Sequence, residues 1–258
     1  MQKEFIQKPQ EGAADDQDIL GTLKQKAPNS LVSIVVLIIA VSQFNDAIDM
    51  GSKGWDLFIS NFSDRPSNDR LSKVYVRASS GVLDETFGSP VYKKQSEGET
   101  EIKYYKDGKF ILSAITSNGT VDAFLVFPQP GFEANTKEHA GGESYLDNNF
   151  SGTTNPMTAM SNIARSGNYY LEEAEGGRYE MLYSSVGGYS EYLSPLSNIQ
   201  LQKLAKFNDQ LMMEEDTTQS ITALRAQIKP NFYGYSTVDI AELEPAILTR
   251  LEYELLTK

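Results

Sequence analysis

At 258 residues, with 40% hydrophobic and 22% charged side chains, the chain has the composition of a folded protein with a real core, which excludes wholesale disorder. Its formal net charge of -12 argues against nucleic acid as a partner, because phosphate contacts need clustered Lys and Arg, and against charge-driven attachment to anionic lipid. The absence of cysteine excludes disulfides, thiolate metal sites, iron–sulfur clusters, a cysteine nucleophile and an acylated-cysteine anchor.

Residues 1–27, rich in Gln, Asp, Glu, Lys and Ala, read as a flexible polar tail. The run LVSIVVLIIAVSQF follows at Leu31–Phe44, with no charge from Pro28 to Asn45. A bilayer core of about 30 Å takes roughly 17 to 25 apolar helical residues, and the span 28–45 approaches the lower bound. Ile34 to Ala40 is apolar on every face, which suits lipid better than a protein core. Leu31, Ile34, Val35, Leu37, Ile38, Ile39 and Val41 are therefore the expected anchor residues of one transmembrane helix in the lipid bilayer. Two alternatives are a buried core helix and a cleaved signal peptide, with Lys24 and Lys26 as n-region and Ala40-Val41-Ser42 as cleavage site. Those lysines precede the segment while Asp46 and Asp49 follow it, which places the N-terminus in the cytoplasm and the remainder outside.

Residues 46–69 read as a juxtamembrane amphipathic helix and linker. Trp55, Phe58 and Phe62 are candidate interfacial residues, or else pack on the domain that follows. Ser63 to Asn68 reads as linker and Asn68–Ala78 as helix. Ser79 or Ser80 can cap a second helix, Gly81–Phe87, stopped by Gly88 and Pro90. Glu101–Lys106 and Lys109–Ser117 flank Asp107-Gly108, and the next strand, to Phe127, turns at Asn118-Gly119, the strongest short-range hairpin signals. With Val91–Lys94 they predict an antiparallel meander in which Val121, Ala123, Leu125 and Phe127 share one face.

Glu133–Asn155 reads as loop, and Asn155-Pro156 opens a short helix ending near Gly167. Two tyrosine-rich strands, Asn168–Glu175 and Arg178–Ser185, are expected across Gly176-Gly177. Helices follow from Ser194-Pro195 to Glu215, from Thr217 to Lys229, and from Thr237 to Leu256 with Pro245 kinking or dividing the last. The predicted fold class is α+β: a soluble domain over 70–258, with possible lobes at 70–135 and 136–258.

The segments FGSPVYKK and EIKYYKDGKFILSAITSNGTVDAFLVF, with NYYLEEAEGG and IKPNFYGYS further on, resemble a family of bacterial single-pass membrane-anchored proteins whose α+β domain has no assigned activity. The resemblance covers most of residues 70–236. It implies a fold context and a single-pass anchor but little function; with the lysine asymmetry, the expected placement is a signal-anchored protein of the inner membrane with its C-terminal domain in the periplasm. More loosely, a helix, Gly-x-Pro and an antiparallel meander are similar in architecture to small envelope-assembly lipoproteins and to protein inhibitors of β-lactamase, which are binding modules. The lipobox cysteine of the former is missing here, so that likeness concerns architecture alone.

The sequence has no Gly-x-Ser-x-Gly elbow and no P-loop, and Gly176-Gly177 and Gly187-Gly188 read as turns. His139, the single histidine, reads as a solvated loop residue. Acidic groups such as Glu172, Glu173 and Glu175, or Glu214, Glu215 and Asp216, read as solvated faces, and Ser144–Asn149 lacks the pattern of a calcium loop. No catalytic, cofactor-binding or metal-ligating residue is expected. Tyr169, Tyr170, Tyr179, Tyr183, Tyr189 and Tyr192 fall in one short region and are either core groups or a candidate partner surface, since tyrosine is at once apolar and hydrogen-bonding. These observations favour a membrane-anchored interaction or sensing module with a protein partner or another envelope component. The alternatives are an envelope-polymer hydrolase using two carboxylates about 5 to 9.5 Å apart, and a membrane-associated defence or stress effector. The last would need the single span to assemble, and its small residues, Ser33 and Ala40, lack Gly-x-x-x-Gly spacing.

Overall fold

The Asp-Gly and Asn-Gly turns organise the first half of the computed structural model, which describes residues 63–257 other than 97, 154 and 176–181. β1 (Tyr92–Gln95), β2 (Glu101–Lys106), β3 (Phe110–Ser117) and β4 (Thr120–Pro128) form the expected meander. At the second turn Asn118 and Gly119 both take positive φ, the conformation that tight hairpins require. A second meander, β5 (Thr158–Ala164), β6 (Gly167–Ala174), β7 (Ser184–Ser190) and β8 (Phe232–Ser236), runs back toward the first. β4 pairs with β8, so one eight-stranded antiparallel sheet of order β1-β2-β3-β4-β8-β7-β6-β5 passes through both expected lobes. The fold is α+β.

Both faces of the sheet are covered. On one face pack α1 (Arg65–Leu71), α2 (Gly81–Phe87), α3 (Asn198–Met212) and α4 (Thr218–Arg225), around Phe110, Leu112, Tyr170, Leu204, Phe207 and Leu224. On the other pack a 3-10 segment, Ile240–Ala246, and α5 (Arg250–Thr257), over Ile111, Leu125, Phe127, Leu171 and Phe232. Each fully buried side chain of this size contributes about 2 kcal/mol, which is why alternation along β3 and β4 decides the layering.

The membrane-anchor residues Leu31 to Val41 and the interfacial Trp55, Phe58 and Phe62 lie outside the described residues. Among the described residues no helix is long and apolar enough to cross a membrane. Several local expectations are corrected. α1 begins at Arg65, inside the expected linker, because Pro66 occupies its first turn, where a missing N–H costs nothing. A bulge between Ile115 and Thr116 sets Ile115 opposite Ala123 but Thr116 opposite Val121, so Val121 joins the helix-covered face while Ala123, Leu125 and Phe127 stay on the other. The expected helix after Pro156 is strand β5, since pairing with β6 over seven residues outweighs its local signals. β7 starts at Ser184, so Gly187 and Gly188 lie inside a strand and not in a turn. β8 arises where no strand was expected, and α3 starts from a Ser197–Gln200 capping box, three residues beyond Ser194. Pro245 sits inside the 3-10 segment, with α5 as a separate helix.

Two buried carboxylates tie helices to the sheet. Asp107, at the β2–β3 turn, accepts from the Ser67 hydroxyl at 2.7 Å and meets the Arg70 guanidinium at 2.6 Å, which fixes α1. Glu172 on β6 accepts Arg225 Nε at 2.9 Å and the Tyr170 hydroxyl at 2.7 Å, and Arg225 also donates to the Phe150 carbonyl at 2.8 Å. Burial pushes the Glu172 carboxyl up from its ordinary range, against the pull of Arg225 and Tyr170. Removing one partner of such a pair leaves a buried charge alone, so Glu172→Gln is expected to lower stability by about 3 kcal/mol in urea unfolding. Replacing both by apolar residues, Glu172→Leu with Arg225→Met, recovers most of that loss.

Candidate functional site

The central strand pair carries bulky aromatics on its helix-covered face. Phe124 on β4 lies directly opposite Tyr235 on β8, with ring centroids 5.4 Å apart. Tyr233, two residues earlier on β8, projects to the same side. Tyr183 stands edge-on to Tyr235 at 5.2 Å. The four rings floor a cleft of about 620 Å³. Its walls are the turn after α1, from Leu71 to Arg77, and the loop from Asn135 to Glu138.

The mouth of the cleft is apolar and exposed. Tyr75 is 57% and Leu182 51% solvent-accessible, although both are large hydrophobic side chains. Arg77, Lys137 and Glu138 add charge around them. Arg77 holds a left-handed backbone at φ 67°, unusual for a residue with a side chain. Its N–H donates to the Val121 carbonyl at 2.6 Å, and the Val121 N–H donates to Ala78 at 2.9 Å, so the turn is stitched to β4. Asn68 braces the opposite wall, accepting the Asn135 N–H at 2.8 Å and donating to the Glu133 carbonyl at 3.0 Å.

Behind the floor lies His139, which is buried and not the solvated residue expected. Its Nε2–H donates to the Val186 carbonyl at 2.9 Å, and its Nδ1 accepts from the Gly141 N–H at 3.2 Å. Its ring centroid is 3.9 Å from that of Tyr145 and 5.8 Å from that of Tyr235. Both nitrogens are engaged in holding the loop, and burial pushes the imidazole down to about 4. Burial likewise raises the hydroxyls of Tyr233 and Tyr235 well above the ordinary tyrosine value, with neighbouring Tyr233, Tyr183 and Glu138 adding to the effect at Tyr235. These hydroxyls stay neutral near pH 7. They are poorly matched to proton transfer, which works best with a group titrating near the working pH.

The six tyrosines expected as core groups or partner surface divide between the two faces. Tyr170 and Tyr189 are buried on the helix-covered face, and Tyr169 on the opposite one, where half-buried Tyr192 packs beside it. Tyr169 donates to Glu244 at 2.7 Å. Of the five that are described, Tyr183 lines the cleft, and Tyr179 lies outside the described residues. Phe124, Tyr233, Tyr235, Tyr75 and Leu182 were not singled out from sequence. Tyr-Gly-Tyr at 233–235, a period-two aromatic repeat, is the signal that could have found the floor. Among the acidic groups, Glu172 faces Arg225, whereas Glu214, Glu215 and Asp216 are exposed as expected.

The sequence matches no known family model and no curated protein. Among solved structures the chain is similar to a cysteine-rich secretory protein from Staphylococcus aureus subsp. aureus Mu50, at 13% identity and a TM-score of 0.32, covering 68% of this chain and 48% of that one. It is also similar to an extracellular protein containing a SCP domain from Bacillus anthracis str. Ames, at 11% identity and a TM-score of 0.31, covering 67% of this chain and 46% of that one. The chain spans about half the length of each. Likenesses this distant leave the site to be argued from its own residues.

Two outcomes are expected. The unfolded imidazole takes a proton near 6.5 and the folded one only near 4, so between those values the unfolded state binds more protons and falling pH favours unfolding. His139 therefore costs roughly 3 kcal/mol of stability by pH 4, and nothing above pH 7. NMR titration of this single histidine, set beside urea unfolding at pH 7 and pH 4.5, checks both the folded pKa and the sign. At the rim, Arg77→Gly is expected to leave stability unchanged or raise it, whereas β-branched Arg77→Val costs about 1 to 2 kcal/mol in the same assay.

Proposed function

We propose that the chain is a membrane-tethered binding module that holds an apolar segment of a protein partner in the aromatic cleft. The observation that carries the reading is the cleft itself: four aromatic side chains form its floor, and Tyr75 and Leu182 stand exposed at its mouth. Concave sites lined by aromatics with a few polar groups are the usual form of ligand sites, and exposed large apolar side chains gathered at one mark contact surfaces. The hydroxyls in the floor are held away from neutral pH, which favours recognition over acid–base chemistry. The tether rests on sequence: residues 28–45 supply one apolar helix, with the N-terminus cytoplasmic and the domain on the periplasmic side of the inner membrane.

The test uses the full-length protein in native membranes, with a photoreactive side chain at Leu182, and then the purified cross-linked partner. A low-micromolar or tighter complex is expected. Leu182→Asp sets a charge against the apolar partner and is expected to cost at least about 1.4 kcal/mol, a tenfold loss of affinity. Leu182 is exposed, so this variant folds normally. Unchanged affinity in Leu182→Asp, or cross-links no stronger than those from a probe at exposed Lys106, would sink the reading.

A further inference from the structure

The two ends of the sheet are built differently. β1, at one end, is four residues long and carries Lys93 and Lys94. Lys93 lies 3.8 Å from Glu101, and Lys94 crosses to Glu252 at 3.0 Å and to the Pro245 carbonyl at 3.0 Å. Shortness and lysines are how proteins keep a strand edge from pairing with another chain. β5, at the other end, is seven residues long, Thr158-Ala159-Met160-Ser161-Asn162-Ile163-Ala164, with no charge and no proline. Its inner side pairs with β6 over its whole length, and among the described residues no strand lies against its outer side. Along this border three large apolar side chains are exposed: Met157 at 55%, Ile163 at 36% and Met212 at 79%. Met212 belongs to α3, which packs on β5 through Ser161 and Asn208, and it lies one turn beyond Asn208 on the same side of the helix.

We propose that the β5 edge pairs antiparallel with the β5 edge of a second copy of this chain, continuing the sheet across a two-fold axis near Ser161. Self-complementarity selects the occupant, and charge permits it. Two chains of net charge -12 repel each other, and they approach at least cost where neither presents a charge, as along β5. The strand is also self-complementary in size about Ser161. Thr158 meets Ala164, Ala159 meets Ile163 and Met160 meets Asn162, so each pair sets a small or unbranched side chain against its partner. A two-fold interface needs this kind of self-complementarity. Strand addition supplies main-chain hydrogen bonds along the edge, and covering Met157, Ile163 and Met212 removes apolar surface from water. The edge lies at the far end of the sheet from β1 and four strands from the β4 floor of the cleft, so this inference stands apart from the cleft reading.

The chain has no cysteine, so one introduced at Ser161 or at Lys93 gives a single labelling position. Full-length protein in detergent is expected to sediment with twice the 28.7 kDa chain mass. A spin label at position 161 is expected to report one distance under about 25 Å between copies, as labels on directly facing strands do, and a label at 93 none in that range. Ile163→Lys and, separately, exposed Thr158→Lys place a charge on the edge and are expected to halve the mass with unchanged circular dichroism. A single-chain mass at about 100 µM, tens of times the concentration at which a stable dimer forms, overturns the proposal. So does a dimer that both lysine variants leave intact, or a short distance at 93 in place of 161. A single chain that instead takes up an added extended peptide along β5 also overturns it, in favour of a foreign strand.

Discussion

The close approach of β8 to β4 at Gly234 is the constraint on which the rest of the molecule depends. A Cβ at that position would lie 2.0 Å from the Phe124 carbonyl oxygen and 2.8 Å from the Leu125 side chain, too near for any other residue without moving a strand. Among the described residues this is the strand pairing that joins the two meanders. It also sets Tyr233 and Tyr235, on either side of the glycine, beside Phe124, so the contact that makes one sheet of two halves also floors the cleft. The next strand repeats the device. A Cβ on Gly187 would fall 1.3 Å from the Tyr145 hydroxyl oxygen, and one on Gly188 would fall 1.9 Å from the Phe232 ring. The missing side chains of β7 are the space those two rings occupy.

Polar groups then decide how the helices sit. Each meander offers one buried carboxylate, Asp107 in the first and Glu172 in the second, and each is met by an arginine from a helix, Arg70 of α1 and Arg225 of α4. Apolar burial is non-directional, so it holds a helix against the sheet without fixing its rotation. A guanidinium that must meet a carboxylate and a particular carbonyl, as Arg225 meets Glu172 and Phe150, does fix it. Arg225 in turn brings the loop around Phe150 beneath α4, and Phe150 stacks edge-on between Tyr145 and Tyr170. A chain of ring contacts thus runs from Phe207 under α3 through Tyr145 to His139 and the cleft floor.

What was legible in the sequence follows the range of the forces involved. The Asp107-Gly108 and Asn118-Gly119 hairpins, the helix at Gly81–Phe87 and its stop at Gly88 rest on neighbours within a few residues, and they are found where expected. β5 and β8 fail locally: residues 158–164 follow a proline that suits a helix start, and Phe232–Ser236 carries a glycine at its centre. Only their partners, β6 in one case and β4 with β7 in the other, make them strands. His139 was misplaced for the same reason, because the Val186 carbonyl that captures it lies 47 residues away. The cleft draws its lining from α1, β4, the 135–138 loop, the segment before β7, and β8, so no window of sequence contains it.

The cleft exists because α1 stops. A helix running on to Ala78, as the sequence suggests, would replace the turn from Leu71 to Arg77 that walls the cleft. Instead the chain leaves the helix at Leu71, turns, and reaches β4 through two main-chain bonds at Val121 and a bridge between Ser79 and Thr120. Two irregularities make that possible. The bulge opposite Thr116 turns Val121 so that its N–H and carbonyl are free for the incoming segment. The left-handed Arg77 lets the segment arrive at the right angle, at a cost that a residue with a Cβ does not bear without compensation. Either feature alone would be an oddity of a loop. Together they carry the segment from Leu71 to Arg77 against β4 as one wall of the cleft and leave Tyr75 and Arg77 exposed at its mouth.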